Sequence, residues 1–323
     1  MKVGIIGAGG IAKKMAETLN GMGHMEAYAI AARDLSRAEA FAKEHHITKA
    51  YGSYEEMLSD PEVKLVYVAT PHSHHYEHIT LSLEHNKHVL CEKAFTANAT
   101  QAKKVLTLAK EKNLLLAEAI WTRYTPSCKI LQKIIESGVI GEATSLSASL
   151  GYAIDHVPRI MDLNLAGGSL LDLTVYPINF AMMLFGNDIK SISSSCVIEE
   201  TGVDTMDSVT FVYNDGKIAQ LFTTVHSNIA RLGIINGSKG YIMVDNINNP
   251  MNAKVFDLSH TEIASHDMPK QITGFEYQVD ACVKAINSGK LECEEMPHSE
   301  ILRVMEICDD LRKEWGIEFP FKK

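Results

Sequence analysis

The chain has 323 residues, more than one hydrophobic core usually serves, so two domains are expected. Hydrophobic residues make up 46% and charged residues 22%, a globular composition that excludes a long disordered stretch. A net charge of −9 argues against a nucleic-acid binder, and no run of about 18 apolar residues predicts a membrane span.

The six cysteines, Cys91, Cys128, Cys196, Cys282, Cys293 and Cys308, have no CxxC spacing. They suit reduced thiols in a cytosol better than a disulfide framework or a zinc site. The opening "MKVGIIGAGGIA" is too glycine-rich for a signal peptide, so a cytoplasmic location is expected.

"KVGIIG" (2–7) is a short β-rich run, and "IAKKMAETLNGMG" (11–23) has helical spacing ending on glycine. "EAYAIAAR" (26–33), "SRAEAFAKEH" (36–45), "VKLVYVATP" (63–71), "YEHITLSLEHN" (76–86) and "KHVLCEKA" (87–94) continue the alternation. A helix at 98–113 and a strand at 114–120 complete it. This rhythm predicts an α/β fold: a parallel, doubly wound sheet of the Rossmann kind over residues 1–120.

The glycines place a ligand. Gly7, Gly9 and Ala12 read G-x-G-x-x-A between the first strand and its helix, with Ala8, Gly10 and Ile11 between them. Gly7 allows a tight turn, Gly9 lets the backbone approach a pyrophosphate, and Ala12 permits close packing of helix on strand. Amides at the helix start favour negative charge. A dinucleotide is the expected cofactor. At the end of the second strand, where an NAD enzyme usually carries an acid, stand Ala31 and Ala32, then Arg33, with Arg37 a turn later. Forked guanidinium donors suit a 2′-phosphate, so NADP is expected, with NAD as the alternative if Asp34 serves the ribose.

Glu92 and Lys93 end an apolar strand. Ligands of open α/β sheets bind outside the carboxyl ends of the strands, where Lys93 should emerge. Glu92 would bind cofactor or ribose there, or pair with a basic neighbour. "TPHSHHYEH" (70–78) holds His72, His74, His75 and His78. His74 and His78 have the spacing of a ligand pair, but no third ligand is convincingly spaced, so no metal is expected.

From about residue 121 the period changes to two. "TSLSASLGY" (144–152), "SISSSCVIEE" (191–200), "DSVTFVYND" (207–215), "GKIAQLFTTVH" (216–226), "RLGIING" (231–237), "GYIMVDN" (240–246) and "NAKVFDL" (252–258) predict one large, mainly antiparallel sheet. Asn214–Asp215–Gly216 is a hairpin signal. Helices at 126–137, 170–185 and 275–288 are expected to cover it in an α+β domain of residues 121–323, with a terminal helix at 299–316. The other face, with little charge, is expected to form a dimer interface. Asp172 and Tyr176 fall on one face of an α-helix, where Asp172 orients the site, caps the helix or pairs with a cation. Pro177 requires that the helix start near Thr174 or kink there.

With "GIIGAGGIA", "VATP…H", "CEKA" and "GGSLLDLTVYP" in order, the chain resembles the Gfo/Idh/MocA oxidoreductases. It is most similar to their dimeric dihydrodiol dehydrogenase branch, through "AARDLSRAEAFA", "LCEKA", "EAIWTRYTP", "HVPR", "GGSLLDLTVYPINF" and "ETGVD". The resemblance implies an NADP-preferring enzyme that moves hydride between nicotinamide and a vicinal diol, polyol or sugar-like CH–OH or carbonyl group. Tyr176 is then the acid/base, Lys93 stabilises its phenolate and bonds the substrate hydroxyl, and Asp172 assists. Thr70, Pro71 and His72 border the nicotinamide ribose, His75 matches a family histidine, and Trp121, Arg123, His156 and Arg159 line the substrate pocket. The family pattern has glycine where this chain has Ser169 and Thr174. It also has E-K-P where this chain reads Glu92–Lys93–Ala94, so the Lys93–Ala94 bond is expected either trans with a shifted lysine or cis. The rival readings are an NAD-linked inositol or sugar dehydrogenase and a non-catalytic dinucleotide-binding regulator.

Overall fold

The computed structural model describes residues 1–321 and divides into two units. Met1–Trp121 and Gln271–Glu306 form the first; Thr122–Lys270 and Ile307–Phe321 form the second. Residues 271–306, expected in the second domain, therefore return to the first. The last strand of the first sheet accounts for this, because its exposed edge groups need partners. The Leu116 N–H donates to Leu291 O at 3.1 Å, and His298 Nε2 lies 2.8 Å from Leu116 O.

In the first unit the order is β1 (Lys2–Ile6), α1 (Gly10–Gly21), β2 (Glu26–Ala31), α2 (Leu35–Glu44), β3 (Lys49–Tyr51) and α3 (Tyr54–Ser59). Then come β4 (Leu65–Val68), α4 (His72–Glu84), β5 (His88–Glu92), α5 (Ala99–Glu111) and β6 (Leu116–Ala119). The strands pair in parallel in the order β3-β2-β1-β4-β5-β6, the doubly wound arrangement expected. The winding reverses between β1 and β4, which opens a crevice at the carboxyl ends of those strands. All four residues of β4 and of β6 are buried, as strands covered on both faces must be. β3 was not legible in the sequence because it is three residues long and carries a lysine.

The second unit holds α6 (Pro126–Glu136), β7 (Ala143–Gly151), a π-helical turn (Leu170–Thr174) and α7 (Val175–Phe185). Its remaining strands are β8 (Ile189–Ile198), β9 (Asp204–Tyr213), β10 (Ile218–Thr224), β11 (Gly233–Gly237), β12 (Gly240–Val244), β13 (Asn252–Asp257) and β14 (Glu262–Asp267). They form one eight-stranded sheet, β14-β13-β12-β11-β7-β10-β9-β8, antiparallel except where β7 meets β10. Gly216, at φ +88°, turns the expected hairpin between β9 and β10. α7 packs on β7 and β10. Of the other expected covers, α6 packs on α7 and α8 (Glu276–Asn287) belongs to the first unit, while α9 (His298–Trp315) contains the point where the chain crosses back.

Leu163–Phe185 does reach the length and apolarity of a membrane-crossing segment, although none was expected. It is interrupted at Ala166–Gly168, and 89% of its most apolar window is buried, as in a core helix.

Candidate functional site

The turn between β1 and α1 is built by its glycines. Gly7 has φ +100°, and a Cβ there would sit 2.8 Å from Ala69 O, so only glycine fits. Around Gly9 and Gly10 a Cβ would meet nothing within 4 Å, which leaves the backbone open to a close-lying ligand. No side chain caps the first amides of α1, and its first turn holds no acid. Uncapped amides at the positive end of a helix suit a phosphate. Ala8 and Ile11 are half-buried, and Ala12 is buried against the sheet.

Arg33 and Arg37 are both exposed beyond β2. Arg37 Nη2 reaches back to Ala8 O at 2.9 Å, which joins it to the glycine turn. Burial pushes the Tyr54 phenol up in pKa while the charges of Arg33 and Arg37 oppose it, so both cations stand near that ring. Asp34 caps α2, accepting from the Ser36 N–H and Oγ–H at 2.8 Å each.

His75 is fully buried in α4, with Nδ1 2.8 Å from Ala94 O and Nε2 2.8 Å from Thr70 O. It thus fastens the end of β4 to the loop after β5. Desolvation lowers its pKa to about 4 against the pull of those carbonyls, and it likewise lowers that of His78, which lies 2.9 Å from Thr70 Oγ1, to about 4. Pro71 is the N-cap of α4, His72 is its buried first residue, and the His74 and His78 rings stack. No group of three or more His, Cys, Asp or Glu is placed to hold a metal among the described residues.

A folded-state pKa of about 4 against an ordinary value near 6.5 means that the unfolded chain binds protons first as pH falls. The His75 contribution is therefore complete above pH 6.5 and is lost down to pH 4. At pH 5 the loss for His75 alone is expected to be about 2 kcal/mol. Urea unfolding of the wild type and of His75→Asn at pH 7 and pH 5 should show a smaller pH loss in the variant. An equal loss would mean that the ring titrates as it does in the unfolded chain, and a wild type steadier at pH 5 that it is already a cation.

Lys93 emerges half-buried at the carboxyl end of β5, and its bond to Ala94 is cis, the second of the two expected forms. The loop it begins is tied down on several sides. Ala94 O faces His75, the Phe95 N–H donates to Glu118 Oε1 at 3.0 Å, and the Ala97 N–H donates to Gln101 Oε1 at 3.2 Å. Glu92 is buried, accepting from the Tyr67 hydroxyl and, at 3.3 Å, from the Lys93 N–H. Lys14, on α1, lies over the Trp121 and Phe275 rings at 4.2 and 4.4 Å. Burial lowers its pKa, and the charges of Glu92 and Glu276 oppose that shift.

In the second unit the turn bearing Asp172 is π-helical, with the Val175 N–H bonded to Leu170 O. The α-helical spacing expected to stack Asp172 and Tyr176 therefore does not hold. The wide turn precedes Pro177, whose missing amide disfavours a regular ladder there. Asp172 is buried and pairs with Arg159 Nη1 at 2.9 Å, so the ion-pair alternative applies. Tyr176 is buried, at 8% exposure. Of the other expected pocket residues, Trp121 packs in the first unit against Phe275, Arg123 is buried, and the side chain of His156 is 74% exposed.

Sequence reasoning missed Tyr67, Glu118, Lys14, Thr223, Asp204 and Asp207. A charge inside the apolar run "LLLAEAI" was a readable signal for Glu118, as were two acids opening a strand for Asp204 and Asp207.

Residues 1–119 match the oxidoreductase family with an NAD-binding Rossmann fold, and residues 129–243 match the GFO/IDH/MocA C-terminal domain. Trans-1,2-dihydrobenzene-1,2-diol dehydrogenase of Mus musculus is 33% identical over 336 residues, covering 100% of this chain and 99% of the relative. The Homo sapiens enzyme of that name is 33% identical over 332 residues, with the same coverage. A 3-ketoreductase from Actinomadura kijaniata, solved with NADP and TDP-benzene, superposes with a TM-score of 0.88 at 26% identity over 97% of both chains.

Proposed function

Because the chain belongs to the GFO/IDH/MocA oxidoreductase family, we propose that it is an NADP-dependent dehydrogenase of vicinal diols, polyols or sugar-like CH–OH groups, or a reductase of the matching carbonyls. The observation that carries this reading is the open glycine turn at the uncapped start of α1, on the same carboxyl edge as the anchored loop of Lys93. The residues present fit a dinucleotide. Gly7–Ala12 would hold its pyrophosphate, Arg33 and Arg37 a 2′-phosphate, and Thr70, Pro71, His72 and Glu92 the ribose beside the nicotinamide. When bound, the nicotinamide supplies the hydride acceptor or donor.

The chain's own task is the proton. Tyr176 takes the hydroxyl proton during oxidation and returns it during reduction. A phenol has an ordinary pKa of about 10, so a nearby cation must stabilise the phenolate. Lys93 is assigned that role and a hydrogen bond to the substrate oxygen. Asp172 holds Arg159, whose remaining donors are available to a polar or anionic substrate group. A screen of diols, polyols and dicarbonyls with NADP or NADPH, followed by nicotinamide absorbance, tests the reading. Dinucleotide binding without turnover of any class would favour the regulatory alternative, and turnover with NAD alone the NAD-linked one.

A cytoplasmic homodimer formed through the second sheet is part of the same reading. It is supported by Val197 on β8 and Ile218 and Phe222 on β10, all 41–43% exposed on the face opposite α7. Light scattering should give twice the chain mass for the wild type and the single-chain mass for Ile218→Glu/Phe222→Glu. A monomeric wild type would rule the interface out.

A further inference from the structure

The helix that carries Tyr176 is fastened to the sheet by polar groups where apolar contacts would have sufficed. Ser169, Thr174, Thr223, Asp204 and Asp207 are each at most 2% exposed. Thr174 Oγ1 donates to Asp207 Oδ2 at 2.6 Å and lies 2.5 Å from Thr223 Oγ1, which is itself 2.9 Å from Ser169 Oγ. Asp204 Oδ2 accepts from the Leu170 N–H at the start of the π turn. A Cβ on Gly168 would meet Asp204 Oδ1 at 2.4 Å, so the chain entering the turn lies directly on this carboxylate.

The two acids are neighbours in β9. Burial pushes Asp204 up to about 6, and burial together with the charge of Asp204 raises Asp207 well above the usual carboxylate range. Burying polar groups is costly without hydrogen bonds, so those made by Asp204, Asp207, Thr174 and Thr223 favour the turn geometry in which they form. The network grips the π turn at both ends: Asp204 at Leu170, and Asp207 with Thr223 at Thr174, two residues before Tyr176. The hydroxyls of both Ser169 and Thr174 enter the network.

We propose that Thr174, held by Asp207 and Thr223, is a positioning residue for the reaction: it sets the wide turn that aims Tyr176. The inference rests on the reading of Tyr176 as acid/base. Thr174→Val keeps the branched shape and removes the bond, and should lower kcat by roughly tenfold. It should leave the KM for NADP unchanged, and Thr174→Ser should restore kcat to within about twofold. In a Tyr176→Phe background, Thr174→Val should have no further effect on residual turnover, whereas a merely structural role would lower both backgrounds alike. If Thr174→Val folds poorly, Thr223→Val serves in the same cycle with the same expected pattern. Wild-type kcat in the hydroxyl-free variant, equal losses in both backgrounds, or no rescue by serine would overturn the inference. Full turnover by Tyr176→Phe alone would instead overturn the reading beneath it.

Discussion

Lys93→Ala is expected to lower kcat by roughly 10²–10⁴-fold, the range that a positioned acid/base pair supplies. Tyr176→Phe should fall in the same range, with the double variant little worse than either, because groups that act as a unit are not additive. The loss should be catalytic and not structural. Lys93 is half-buried, and its loop is held independently by His75, Glu118 and Gln101. The far-UV circular dichroism and the KM for NADP should therefore stay near wild type. Without the ammonium the phenol keeps a higher pKa, so the optimum for oxidation in Lys93→Ala should move to higher pH. Wild-type turnover in either single variant would remove these residues from the mechanism.

Arg33→Ala/Arg37→Ala is expected to raise the KM for NADP by roughly 10–100-fold per arginine, from about 1.5–3 kcal/mol for each charge-assisted bond. Turnover with NAD should change little, so the NADP/NAD ratio collapses. Arg37 also donates to Ala8 O, and a loosened glycine turn would weaken both dinucleotides together. Measuring NAD in parallel separates the two effects. A wild type that already prefers NAD would defeat the argument from Arg33 and Arg37.

The parts legible in the sequence are those whose signal is local. Short apolar strands buried on both faces, helices ending on glycine and a turn that excludes a Cβ at Gly7 are each written within a few residues. They specify the doubly wound sheet and its carboxyl edge without help from long-range contacts. The emergence of Lys93 follows from the same logic, since the apolar run that makes β5 must end where its charges begin.

The second unit was legible only in outline. Its alternating strands announced a large sheet, but the return of residues 271–306 depended on edge groups of β6 nearly two hundred positions away in the chain. The π turn was likewise hidden, because a helical apolar pattern does not distinguish winding by four residues from winding by five.

By itself, then, the sequence determined the fold class, the dinucleotide-type turn and the identity of the charged residues at the strand ends. Only the tertiary structure decided the partners: Asp172 with Arg159, Glu92 with Tyr67, and Thr174 with Asp207 and Thr223. The physical reason is that backbone propensity acts between neighbours, whereas burial of a polar group is settled by whichever distant donor the folded chain brings to it.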